Sequence, residues 1–313
     1  AASLVSTSVF AGELTATGSA SMTVEGHSGT ILQSDTAFSM ADSVTLSGSS
    51  ELDNGMTVKM SFELDGASES SDGQSAYDDN SMTISSDAMG TLKFSAHGGS
   101  SASSALDGTA AGDMFDNFDT GLTVTGAATK AAGAGDNSFF YTTPTLVEGL
   151  VATASLNTAG ASGNNAMGFG VTYTGVEGLS LSYGTADVNA GASTNSGDQT
   201  VMKASYAIGS LTMSYTNSEY SIGTGATEAN AQDVTSMAVS YTVSDALSVT
   251  YGTEVIESGL STATDAEYQG ISVAYTAGGM TLTAANQIAD AISHSSAANE
   301  DYEYWSLGLS FAF

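Results

Sequence analysis

Cysteine is absent from the 313 residues, which removes any disulfide framework and any thiolate metal site. Proline occurs once and arginine not at all. Four lysines stand against 34 acidic residues, for a formal net charge of −30. So few cations cannot neutralise a phosphate backbone, which excludes nucleic acid as a partner. Charge is nevertheless sparse, 12% of residues against 41% apolar. That is not the densely charged, weakly hydrophobic composition of a disordered chain. Long apolar runs are missing too: no stretch reaches the ~18 residues that a membrane-spanning helix needs. His27, His97 and His294 are the only histidines. The first and last are expected in outer loops and His97 at the top of a strand. With serine so common, a chance Ser–His pairing carries no weight. Gly133-Ala134-Gly135 precedes a strand pattern rather than a helix, so it is no phosphate loop. No catalytic residue is assigned, and the chain is read as a non-enzyme.

What is present is a repeat. Val171–Tyr183, Ala204–Tyr215, Val239–Tyr251 and Val273–Leu282 each read as strand, short turn, strand, and their first tyrosines fall 33, 35 and 34 residues apart. Short turns alternate with longer polar stretches, the rhythm of consecutive hairpins. Extended over the chain, it predicts sixteen strands near residues 13–26, 36–50, 55–64, 80–87, 90–97, 136–144, 149–157, 165–175, 178–188, 198–209, 210–221, 233–244, 246–258, 267–278, 279–290 and 300–313. Without spanning helices, a closed barrel is the one structure that crosses a bilayer with every backbone group paired. An even number of antiparallel strands with short turns at one end fits it, and sixteen strands leave an aqueous channel. The fold class is therefore all-β: a sixteen-stranded transmembrane antiparallel up-and-down barrel at 12–313. Residues 1–11, ending Val9-Phe10-Ala11, read as the tail of a signal peptide. An N-terminal strand tucked into the barrel is the alternative.

Parity within the strands supports a wet interior. Met56, Val58, Met60, Phe62 and Leu64 share one face, while Thr57, Lys59, Ser61 and Glu63 share the other. Leu92 and Phe94 oppose Lys93 and His97; Met202, Ala204 and Tyr206 oppose Lys203. Glu254 also falls on the polar face. A lysine facing lipid at mid-bilayer would cost ~2–4 kcal/mol. Tyr173, Tyr206, Tyr241 and Tyr275 lie just before short turns, and Tyr183, Tyr215 and Tyr251 lie after them, all with apolar parity. They are expected as an aromatic girdle at one depth, at the short-turn interface. The general preference of tyrosine for strands is the other explanation.

The chain ends Trp305-Ser-Leu307-Gly-Leu309-Ser-Phe311-Ala-Phe313, apolar on one face. Trp305, Phe311 and Phe313 resemble the C-terminal assembly signal of outer-membrane barrels. The opening Glu13–Ala20, Gly90–Gly98 and Asn137–Pro144 are similar, in order and spacing, to segments of the trimeric general-diffusion porins, most of all those of α-proteobacteria. The resemblance covers nearly the whole chain. It implies a water-filled channel for passive diffusion of small hydrophilic solutes, integral to the bacterial outer membrane and exported through the periplasm. It also implies a homotrimer in contact with outer-membrane lipid and lipopolysaccharide, handled by barrel-assembly machinery. The small outward residues Ala16, Gly18 and Ala20 suit a subunit contact.

Residues 98–135 form the longest connection between strands. Loops of that length are usually functional. By the resemblance this third loop folds inward and narrows the pore. Met114, Phe115 and Phe118 would anchor it on the wall, while Asp113, Asp116 and Asp119 point into the opening. An ordinary acidic surface loop is the alternative. The family sets basic wall residues against such acids. Here only Lys59, Lys93 and Lys203 remain as lumen cations, with Ser21 and Glu63 standing where basic residues would be expected. The pore is therefore expected to be negative and cation-selective. No cofactor is required. Asp72, Asp78 and Asp79 form a candidate site for Ca²⁺ or Mg²⁺, which favour oxygen ligands; a solvated acidic loop and a subunit contact are the other readings. The functional alternatives are a substrate-specific porin, an outer-membrane barrel enzyme, and an acidic extracellular surface-layer or adhesin β protein.

Overall fold

The structure, a computed structural model, describes residues 14–29, 36–65, 79–118, 132, 135–158, 165–189, 196–221, 231–260, 263–294 and 302–313. Residues 1–11 lie outside this set. The alternating segments form sixteen strands: β1 (Leu14–Gly29), β2 (Thr36–Glu51), β3 (Thr57–Asp65), β4 (Asn80–Ser86), β5 (Gly90–His97), β6 (Ser138–Thr142), β7 (Leu150–Asn157), β8 (Ala166–Tyr173), β9 (Leu179–Asn189), β10 (Ser196–Ile208), β11 (Leu211–Tyr220), β12 (Gln232–Ser244), β13 (Leu247–Ser258), β14 (Ala266–Ala277), β15 (Met280–Asp290) and β16 (Tyr302–Ala312). Each pairs antiparallel with its neighbour in sequence, and β1 pairs with β16, so the sheet closes on itself. The largest departure from the expected bounds is at β1, which continues to Gly29. Among the described residues the only helix is one 3-10 turn, Met114–Phe118. Among the described residues no helix is long and apolar enough to cross a membrane.

Register assigns every side chain to a face, because a strand alternates and pairing carries the alternation sideways. One inward row runs Lys59, Thr83, Lys93, Phe140, Ser155, Gly168, Ala186 and Gln199 across β3–β10. The outward face carries Met22, Leu309, Leu282 and Tyr275 on β1, β16, β15 and β14, all exposed except the half-buried Leu309. A soluble protein would not leave such a surface continuous. The buried apolar residues instead form a cluster inside the barrel, between the wall and the long loop.

The ring closes at Gly18, whose N–H donates to the carbonyl of Phe313 at 2.8 Å and whose carbonyl accepts from Phe313 N–H at 3.0 Å. The Phe313 ring lies over Gly18, where an added Cβ would meet it at 2.5 Å. Trp305 covers Gly26 in the same way, at 2.7 Å. The small residue Gly18, expected to serve a subunit contact, is thus occupied by an aromatic ring of its own chain. Short turns are as tight as the repeat predicts. Gly209, at φ +58°, opens the two-residue turn between β10 and β11, a conformation that glycine adopts without strain.

Candidate functional site

The loop after β5 turns into the barrel and is held along its length by single polar side chains on distant strands. Ala102 N–H donates to Ser155 Oγ on β7 at 2.9 Å, and Ser103 Oγ donates to Gln199 Oε1 on β10 at 2.7 Å. Gln199 Oε1 also accepts from Ala132 N–H at 2.9 Å, so one amide joins the outgoing and returning halves of the loop. Lys203 Nζ donates to the carbonyl of Gly108 at 2.6 Å. Ala111 N–H donates to Ser236 Oγ on β12 at 3.0 Å. Glu254 on β13 is fully buried; it accepts from the Thr109 hydroxyl and, at 3.3 Å, from Phe115 N–H. Asn117 Nδ2 donates to Gln287 Oε1 on β15 at 3.0 Å, and its carbonyl lies 2.7 Å from His27 Nε2 on β1.

The apolar side of the loop packs where the inward faces cease to be hydroxylic. Met114, Phe115 and Phe118 are buried with Val234, Ile256, Tyr268, Ala289, Tyr302 and Tyr304 from β12–β16. The Phe118 ring is 5.6 Å from Tyr268 and 6.1 Å from Tyr304. Burial of side chains this size stabilises by ~1.5–3 kcal/mol each, enough to hold a loop that also spends its polar groups on the wall. These partners lie on β7, β10, β12–β16 and β1, so the described part of the loop takes one side of the barrel. The opposite side is the inner face of β2–β6.

That opposite wall is mostly hydroxyl: Ser43, Thr45, Ser47, Ser61, Ser81, Thr83, Ser85, Thr91 and Ser95. Lys59 and Lys93 stand on it in register with Thr83, two strands and so about 10 Å apart. Glu63 and Asp65 face inward towards the long-loop end of β3. On the loop, Asp116 is exposed. Asp113 does not simply point into the opening as expected. Its backbone is left-handed (φ 53°) and its Oδ1 accepts from Thr109 N–H at 2.9 Å, so the carboxylate closes the loop's own turn. Asp119 lies outside the described residues. Asp107, not singled out from sequence, sits among Gln199, Lys203 and Asp113; burial pushes its carboxyl above the ordinary value, against a hydrogen bond from Gln199. Lys203, expected as a lumen cation, is drawn onto the loop backbone. His27, expected in an outer loop, lies inside β1 because that strand is longer than the pattern suggested. Phe140 faces inward beside Lys93. The inward parity of Glu254 is legible in the sequence; its contact with the loop is not, since it shares its face with Thr250, Gly252 and Ile256.

The site as described is a hydroxyl-lined wall facing a loop, with charged groups on both. A model of the Gram-negative porin family matches residues 1–258. The chain belongs to the Gram-negative porin family. Among solved structures this porin is similar to the anion-selective porin from Comamonas acidovorans, at 15% identity over 96% of this chain and 99% of that one, TM-score 0.70. It is likewise similar to an engineered variant of the Rh. blastica porin, at 15% identity over 96% and 100% of the two chains, TM-score 0.68. A porin refined at 1.8 Å matches at 19% identity over 96% and 100%, TM-score 0.67. At these identities the likeness speaks for the fold. No curated protein matches the chain. Family and closed barrel set aside the surface-layer reading.

The porin's seven repeat tyrosines all face outward, but in two tiers. Tyr206 stands opposite Leu179 and Met213, whereas Tyr215 stands opposite Ala204, two residues further along β10. Tyr173, Tyr241 and Tyr275 accompany the first tier and Tyr183 and Tyr251 the second, because the short turns place the later tyrosines deeper in the strand. Trp305 and Phe311 face outward on the last strand. Of the candidate metal ligands only Asp79 is described, its carboxylate packed over Gly98; Asp72 and Asp78 lie outside the described residues. Among the described residues no three acidic or histidine side chains converge on a metal-sized space.

Proposed function

We propose that the protein is a cation-selective general-diffusion channel of the bacterial outer membrane, passing small hydrophilic solutes and ions through the gap between the inward loop and the β2–β6 wall. The observation that carries this reading is the one-sided attachment of the loop. Its described part is held by Gln199, Lys203, Ser236, Glu254 and Gln287, and the hydroxyl face of β2–β6 lies across the barrel from those strands. The gap takes its charge from Asp116, Asp113 and Asp119 on the loop and from Glu63, Lys59 and Lys93 on the wall. Acids outnumber bases throughout the chain, 34 to 4. Fixed charge of one sign along a narrow passage concentrates its counter-ions.

Outward tyrosines and exposed apolar rows support lipid contact at the short-turn half. At the long-loop end of β9–β16 the outward face ends in Asp187, Asp198, Glu219, Asp233, Glu257, Glu267, Asp290 and Glu303, a row of acids that suits lipopolysaccharide headgroups better than lipid chains. Asp42 also faces outward and is exposed, paired with Ala20. An acid there is better matched by a second subunit than by lipid, which supports a homotrimer built on β1–β3. The edge of β16, with Phe313, would be read by the assembly machinery before the seam closes.

Neutralising Asp113, Asp116 and Asp119 together to Asn is expected to lower cation preference in planar bilayers while conduction persists. Unchanged selectivity would mean that the loop does not border the narrowest part. Swelling of liposomes carrying the protein should slow as sugar size rises; no swelling with any sugar would contradict the diffusion reading.

A further inference from the structure

We infer that Gly184 on β9 and Gly252 on β13 set the width of the opening, by giving the constriction loop a recess in the wall to lie in. This rests on the diffusion reading and adds the residues that determine its size limit. Both glycines face the lumen beneath the loop. An added Cβ on Gly252 would meet Ala111 Cβ at 2.5 Å and Ala111 Cα at 3.1 Å. One on Gly184 would meet the Ala102 carbonyl oxygen at 2.7 Å, Leu106 Cδ1 at 3.0 Å and Ser103 Cα at 3.2 Å. The Ala111 and Ala102 atoms are backbone or the first side-chain carbon, so they cannot swing away as a long side chain would. Gly270 differs: beside Gln287 Cγ at 2.6 Å and the Asn286 carbonyl oxygen at 3.1 Å on the wall, its one close loop atom is Met114 Sδ at 3.1 Å, the far end of a flexible side chain.

The segment between the two recesses is pinned close to the wall by Lys203 on Gly108, by Glu254 on Thr109, and by Ser236 on Ala111 N–H at 3.0 Å. A close-packed contact transmits a displacement rather than absorbing it. Volume added under the loop therefore moves it away from β9 and β13, and the free direction is across the lumen towards Lys59 and Lys93. The loop's reach into the pore is thus fixed from behind, by what the wall lacks, as well as by the charged groups in front.

The test is single-channel conductance and liposome swelling with arabinose, glucose, sucrose and raffinose, on the full chain, for G252A, G252V, G184A and the double variant G252A/A111G. Heat-modifiable gel migration checks that each barrel is closed. Conductance is expected to fall from the unmodified protein to G252A and further to G252V, with the largest sugars lost first. G184A should fall likewise, and removing the Ala111 methyl in G252A should recover most of the loss. If G252A alone fails to close, the double variant, which returns the space, must close and conduct near the unmodified level; its failure overturns the inference. Closed single variants with unchanged conductance and sugar limit also overturn it, leaving the channel reading intact. An unmodified protein that does not conduct overturns both.

Discussion

Asp107 is a carboxylate that the fold draws out of water beside Gln199, Lys203 and Asp113. Burial disfavours its charged form, so its pKa is raised. As pH falls, an acid with a raised pKa loses its charge before ordinary carboxylates do. Cation preference is therefore expected to begin falling before the ordinary carboxylates protonate, and D107N should remove that first step while leaving the later one. Permeability ratios measured across an acid pH series check this; superimposable curves for the two proteins would contradict it. At this scale the sequence was informative where parity alone decides: Lys59, Lys93 and Glu63 face the lumen as alternation requires. It was uninformative where local backbone conformation decides. The left-handed turn at Asp113, which aims its carboxylate at Thr109 N–H, leaves no trace in the spacing of the acids.

Between elements, the contact that matters most is Glu254 of β13 with the loop. Its carboxylate is the acceptor for the half-buried Thr109 hydroxyl and for the Phe115 N–H, which is shut away from water. E254A leaves the Phe115 N–H unpaired, costing ~1–3 kcal/mol. It is expected to melt at lower temperature on heat-modifiable gels and to show a noisier open-channel current. E254Q keeps one acceptor oxygen and should fall between. Equal noise in all three would mean that the loop is held elsewhere. The strands themselves were legible because each hairpin repeats the same local pattern, and their order follows from short turns. The loop was legible as a long inward element through resemblance, and its apolar residues Met114, Phe115 and Phe118 through their chemistry. Its seat was not. Gln199, Ser236, Gly252 and His27 come from four separate strands, and only closure of the barrel makes them neighbours. Gly18 was read as a surface for another subunit, whereas the closing pair brings Phe313 of the same chain over it.

For the whole molecule, the imbalance of charge is the dominant fact. On the proposed reading, a net −30 with no arginine gives a passage whose fixed charge repels anions. One of its lysines, Lys203, is spent on a loop carbonyl. Salt screens such fields, with a Debye length of ~8 Å at physiological ionic strength and ~3 Å at 1 M, so selectivity should be strongest in dilute solution. The anion-selective porin from Comamonas acidovorans has a similar barrel, so on the proposed reading the charges lining the barrel, not the barrel itself, choose the ion. The reversal potential of the unmodified protein in a planar bilayer under a KCl gradient tests this most directly. The expected sign is that of potassium permeating faster than chloride, with the preference shrinking as salt rises; a sign favouring chloride would contradict the account.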